Sequence, residues 1–206
     1  MPSLLQPQFA TLINALPVQE HVVNIDANFW LPRFSRANLC NLWATIFGNA
    51  PTISISRQRL LNFAYPTPEQ KCAEILLWGY PNDQHGVVGQ LLPQLATIAQ
   101  VTGIQAPWDQ YYLKFRIKVA NINISTITKL AYFHRLHFNG LDALILDSRV
   151  IKNSANWVET SGLGLTYPNA QSLYIGYLTV MNQISNRLGC TADQLEFFLF
   201  SLGKAF

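Results

Sequence analysis

Thr67-Pro68-Glu69-Gln70, followed directly by KCAEILLWG, carries a helix start and a helix stop in one short stretch. A threonine hydroxyl can accept from the N–H three residues on, a proline at the first helical position has no N–H to waste, and the glycine after Trp78 ends the run. Similar punctuation recurs along the chain. Ser35 precedes RANLCNLWATIF at 36–47 with Gly48 behind it, and Pro107 opens WDQYYLKFRIKVANI. Helix-like apolar spacing follows around 129–138, 148–158, 170–188 and 192–202. Strand alternation is confined to TISIS at 52–56 and ALIL at 143–146, and the first reads equally as a turn leading into RQRLLNFA. GYPNDQHG, after Trp78, reads as a loop. The expectation is an all-α chain of many short helices, with 206 residues enough for a sizeable core.

Charge is scarce. Charged residues make up 12% of the chain, about half of the ~25% usual in soluble domains, so each one carries more information than it ordinarily would. The formal net charge of +3 is compatible with a phosphate backbone and too small to require one. Three widely spaced cysteines, Cys40, Cys72 and Cys190, speak against a disulfide framework, a zinc knuckle or an iron–sulfur loop. With no basic residue before Arg33 and no apolar run near the ~18 residues that a bilayer demands, the reading is a cytoplasmic protein.

Against this background, TKLAYFHRLHFNGLDALILDSRV at 128–150 holds a lysine opening one apolar run and an aspartate closing another. If a helix begins near Thr128, Lys129 lies in its first turn, where the dipole disfavours a cation. An apolar setting adds desolvation, and both push towards the neutral amine that attacks carbon. Asp147 reads as the N-cap of SRVIKNSANW, where backbone N–H groups keep a carboxylate ionised. Side by side, the two would form a resting ion pair. The plain alternative is a snorkelling lysine and an ordinary helix cap.

This lysine–aspartate spacing, eighteen residues with LILD entering the second helix, resembles the helix-hairpin-helix DNA glycosylase superfamily, and within it the 8-oxoguanine DNA glycosylases. A second patch, EFFLFS from Glu196 to Ser201, is similar to the last helix of those enzymes. The likeness is specific over the last 80 residues or so and only a helical pattern before them. It implies one domain over 1–206 with two helical subdomains flanking a cleft, a hairpin and catalytic region at about 107–158, and a base-reading helix at about 192–202. It implies a DNA glycosylase with AP lyase activity on 8-oxoguanine or another modified guanine, without a cofactor. Lys129 would be the nucleophile and Asp147 its electrostatic partner. Glu196 would accept from guanine's N1–H and N2–H, and Phe200 would stack on the flipped base. DNA is the partner implied. Small relatives also occur in antiviral gene clusters, so proteins of a defence operon are further partners to expect.

The sequence departs from that family where a Gly-x-Gly usually grips a phosphate: Ser125-Thr126-Ile127-Thr128 stands there instead. The hydroxyls of Ser125, Thr126 and Thr128 are the candidates to replace that grip. That change also keeps open a non-catalytic module binding a nucleic acid or modified base. A lysine acting on a free nucleoside is a further alternative. Arg149, with Lys114, Arg116, Lys118, Arg135 and Lys152, either faces phosphates or keeps an apolar protein dissolved. Tyr80, Asn82 and His85 are loop residues suited to filling the gap left by a flipped base, or to an ordinary turn. His134 and His137 lack a third ligand at metal-binding spacing. The five tryptophans read as core.

Overall fold

A computed structural model describes residues 1–83 and 86–201. In chain order the elements are α1 (Pro7–Asn14), β1 (Val22–Asp26), α2 (Ala27–Arg36), α3 (Cys40–Phe47), β2 (Thr52–Ser56) and α4 (Arg57–Asn62). Next come α5 (Pro68–Gly79), α6 (Val87–Leu91), α7 (Leu95–Thr102), α8 (Trp108–Lys118) and α9 (Ile124–Phe133). After β3 (His137–Phe138) and β4 (Leu141–Asp142) the chain finishes with α10 (Ser148–Ser154), α11 (Val158–Ser161), α12 (Ala170–Leu188) and α13 (Ala192–Ser201). The fold is helical throughout, with two small antiparallel ribbons, β1–β2 and β3–β4. Among the described residues no helix is long and apolar enough to cross a membrane.

Side-chain caps set several helix starts. Thr67 Oγ1 accepts from Gln70 N at 3.1 Å, with Pro68 at the first helical position, as the sequence implies. Asp26 Oδ1 accepts from Asn28 N and Phe29 N, and Asn123 Oδ1 from Thr126 N. Ser35, read as a cap, lies inside α2 instead. The chain turns at Asn38, whose φ of 59° stops that helix before α3 begins at Cys40. TISIS is a strand, and its partner is Val22–Asp26, which sequence patterning did not single out.

The expected helix at 129–138 begins earlier, at Ile124, and ends at Phe133. Asn139-Gly140 then turns the chain between β3 and β4 with φ of 54° and 75°, both positive as a type I′ hairpin requires. ALIL at 143–146 forms no strand. It is an extended buried segment whose Leu144 N–H donates to Tyr174 Oη while Tyr174 Oη–H donates to Leu144 O, so α12 supplies what a neighbouring strand would. Expected helices at 170–188 and 192–202 correspond to α12 and α13.

Two helices make the centre. Every residue of α9 is buried, and in α5 the run from Cys72 to Trp78 is buried without a break. A helix buried all round must satisfy its polar side chains internally. Thr128 shows how. Its hydroxyl donates to Ser125 O at 3.2 Å and accepts from Leu146 N at 3.0 Å, tying α9 to the segment that enters α10. This bond fixes where Asp147 stands relative to Lys129. Trp30, Trp78, Trp108 and Trp157 are buried, as expected of core residues, and Trp43 is half-buried.

Replacing Thr128 by valine keeps the shape and orphans the buried Leu146 N–H. The variant should lose about 1–3 kcal/mol of stability, read as a lowered urea midpoint with unchanged slope.

Candidate active site

The end of α5, the middle of α9 and the start of α10 converge on a cavity of about 270 Å³ that also receives Phe200 from α13 and Arg57 from α4. That is near the low end of the ~300–1,000 Å³ of small-molecule sites, a size for one base rather than an extended ligand. Lys129 and Asp147 both line it.

Lys129 is 5% exposed. Because α9 starts at Ile124, the lysine sits in the second turn and not the first, so the helix-terminus field expected to act on it has largely fallen away. Lys129 Nζ donates to Ser125 Oγ, one turn earlier, at 2.6 Å, and stands 5.3 Å from the centre of the Tyr80 ring. Tyr80 is held in turn by Thr126 Oγ1 at 2.8 Å and Asn123 Oδ1 at 3.3 Å. A Cβ at position 79 would come within 2.9 Å of Lys129 Cδ, so Gly79 is the space through which the lysine reaches the cavity.

Asp147 caps α10 as expected, with Oδ1 accepting from Arg149 N at 2.9 Å and Val150 N at 3.1 Å. Its second oxygen has no hydrogen-bond partner among the described residues. The resting ion pair between Lys129 and Asp147 does not form: the amine is spent on Ser125 and the carboxylate on the helix start. The two share a cavity without touching.

Three other expectations change. Ser125, Thr126 and Thr128 are not a phosphate grip. All are buried, and their hydroxyls serve Lys129, the Tyr80–Asn123 cluster and Leu146 respectively. Glu196 does not face the cavity. It is fully buried, and both its oxygens are taken by Arg57, at 2.9 Å from Nη1 and 3.3 Å from Nη2. A carboxylate with no access to water needs a cation, and Arg57, itself 1% exposed, is the one within reach. Burial works against the charge on Arg57, and Glu196 more than offsets it, so the guanidinium is held firmly charged. Arg135 is not part of a stripe with Arg149. It bonds Asn62 Oδ1 at 2.7 Å and lines a different depression.

The remaining candidates lie at several different places. Phe200 is half-buried on the cavity wall, stacked with Phe197, and Arg149 lies with Cζ 5.0 Å from its ring centre. Lys118 and Lys152 are exposed, Lys114 is half-buried, and Arg116 donates to Ile122 O at 2.6 Å, bracing the turn between α8 and α9. Asn82 is exposed in the loop after α5, away from the cavity lining, and His85 lies outside the described residues. His134 bonds the Leu130 carbonyl of its own helix and His137 pairs with Asp142, so the two histidines are turned to separate local partners.

Three lining residues escaped sequence reading: Arg57, Trp78 and His21. Each has a buried nitrogen with no partner among the described residues, namely Arg57 Nε, Trp78 Nε1 and His21 Nδ1. A buried polar group left unpaired costs about 1–3 kcal/mol. Three of them on one cavity is a concentrated debit. His21 is neutral at pH 7, its imidazole pushed down to about 4 by burial and then by the charge of Arg57. Nothing local in RQRLL marks its first arginine as buried. The charge-poor composition is the only signal pointing that way.

A protein-family model described as "Putative 8-oxoguanine DNA glycosylase OGG-like protein" matches residues 16–200. No curated protein and no solved structure matches the chain.

Arg57→Met, which leaves Glu196 buried without its cation, should cost about 3–5 kcal/mol in urea unfolding. Arg57→Met combined with Glu196→Leu, which removes both charges, should recover most of that loss.

Proposed function

Since the chain belongs to the OGG-like 8-oxoguanine DNA glycosylase family, we propose that it releases 8-oxoguanine, or another modified guanine, from DNA and then nicks the strand through a lysine Schiff base. The observation that carries this reading is the convergence of Lys129 and Asp147 on one base-sized cavity from two different helices.

A base inside duplex DNA is out of reach, so the nucleotide must flip out of the stack. Phe200, on the cavity wall, offers a ring for it to lie against, and Arg149 at the same rim offers a cation for the adjoining phosphate. Lys129 must first give up a proton, and the unpartnered oxygen of Asp147 is the acceptor within the cavity. The lone pair on Nζ then forms a bond to the sugar C1′. The C1′–N9 bond breaks with its electron pair leaving on the base, which takes up the proton that Asp147 accepted and so restores the carboxylate. Positive charge that develops on the sugar is stabilised by the Asp147 carboxylate, held in place by the two N–H groups of α10 that its Oδ1 accepts from. Opening of the sugar ring transfers the second amine proton to O4′ and leaves a protonated Schiff base. Loss of a proton from C2′ then expels the 3′ phosphate. Each of these steps needs the amine beside the sugar and water kept out, and the 5% exposure of Lys129 suits both.

Borohydride reduction during incubation with a duplex containing 8-oxoguanine should leave a covalent protein–DNA adduct. Lys129→Gln should lower its yield on the order of 10³-fold or more. An adduct of wild-type yield in that variant would refute the assignment.

A further inference from the structure

The expected reader of the base, Glu196, is turned away from the cavity, and the wall it was to supply belongs to Arg57, Trp78 and His21. Glu196 holds the Nη1/Nη2 end of the guanidinium, which leaves the Nε–H side of Arg57 without a partner among the described residues. Trp78 Nε1–H is likewise without one, and so is His21 Nδ1. The three residues are close neighbours. The His21 and Trp78 rings are 5.3 Å apart, and the Arg57 guanidinium carbon lies 5.4 Å from the Trp78 ring centre.

The polarity of this set is defined by chemistry. Arginine Nε and indole Nε1 can only donate, whereas a neutral imidazole nitrogen can accept when the other ring nitrogen carries the hydrogen. His21 is neutral at working pH, as its burial beside Arg57 requires. Just behind the wall, the set therefore holds two donors and one acceptor. The edge of 8-oxoguanine formed by O6, N7–H and O8 presents the complement: acceptor, donor, acceptor. Unmodified guanine presents O6 and N7 as acceptors and a bare C8–H, so it satisfies one donor less and leaves the imidazole unmet.

We propose that Arg57, Trp78 and His21 are the specificity-determining residues of this site, reading the O6/N7–H/O8 edge of an oxidised purine, with Glu196 as the positioning residue that presents Arg57. This rests on the glycosylase reading of the cavity. It also inverts the expected face of recognition: the base is read from its oxidised edge by donors, not from its Watson–Crick edge by a carboxylate. The three nitrogens are closed off from solvent in the empty protein. On this proposal the base meets them once its edge displaces the side chains that cover them.

Single-turnover base release from duplexes carrying one of three lesions tests this. 8-Oxohypoxanthine keeps the O6/N7–H/O8 edge and lacks the N2 amine, so its rate should lie within about threefold of that for 8-oxoguanine. 8-Oxoadenine replaces the O6 acceptor by an amine that opposes Arg57, and should react about 100-fold more slowly. Trp78→Phe should slow release of 8-oxoguanine about tenfold or more. Its borohydride trapping on a plain abasic site, which has no base to read, should fall by a smaller factor than its release of 8-oxoguanine. Loss of 8-oxohypoxanthine release, equal rates for 8-oxoadenine, or an unaltered Trp78→Phe variant would overturn the proposal. So would wild-type protein that traps abasic DNA yet releases none of the three bases. Wild-type protein that fails to trap abasic DNA would instead overturn the proposed function itself.

Discussion

The buried pair Arg57–Glu196 joins residues 139 positions apart and holds the first third of the chain against its last described helix. Neither side chain reaches water, so neither charge is tolerable without the other. The guanidinium is further enclosed by Trp78, Tyr132 and Phe197, whose ring centres lie 5.4, 5.4 and 5.1 Å from its carbon. One consequence is architectural: α4, α5, α9 and α13 are gathered around a single ion pair. The other is chemical. A charged donor is brought to the wall of the cavity where Lys129 stands, in a setting too dry for solvent to mask it.

The lysine side of the cavity follows the same logic on a smaller scale. Complete burial of α9 obliges Ser125 to serve Lys129, Thr126 to serve Tyr80 and Thr128 to serve Leu146. Those bonds look like core satisfaction, yet each one positions part of the site. Ser125 holds the amine and Tyr80 covers it. Thr128 fixes the approach of Asp147, and Gly79 leaves the gap through which the lysine extends. An amine and a carboxylate share this cavity, each held by a partner of its own.

Much of this was legible in the sequence where the governing interaction is local. The Thr67 cap, the Asp147 cap, the glycine after α3 and the whole of α12 involve residues within a few positions of one another, and all were readable. The Asn139-Gly140 turn was equally local. It was masked because the apolar residues around it continue a helix-like spacing. What failed was non-local. TISIS is a strand only because Val22–Asp26 runs beside it. Glu196 looked like a reader of bases because nothing near it in sequence shows the arginine that occupies it. Lys129 and Asp147 stand out in the sequence through a family resemblance, but the turn of helix that holds the lysine depends on Asn123, a cap six residues upstream.

The physical claim beneath the functional reading is that one dry cavity brings together an amine for the sugar, a carboxylate for its charge and a donor wall for the base. A crystal structure of the Lys129→Gln variant bound to duplex DNA containing 8-oxoguanine tests all three together. The reading requires the flipped base inside the cavity, its sugar C1′ beside residue 129 and Asp147, and its O6 and O8 facing Arg57 and Trp78. A base left in the helix, seated in another depression, or turned with its Watson–Crick edge to that wall would contradict it.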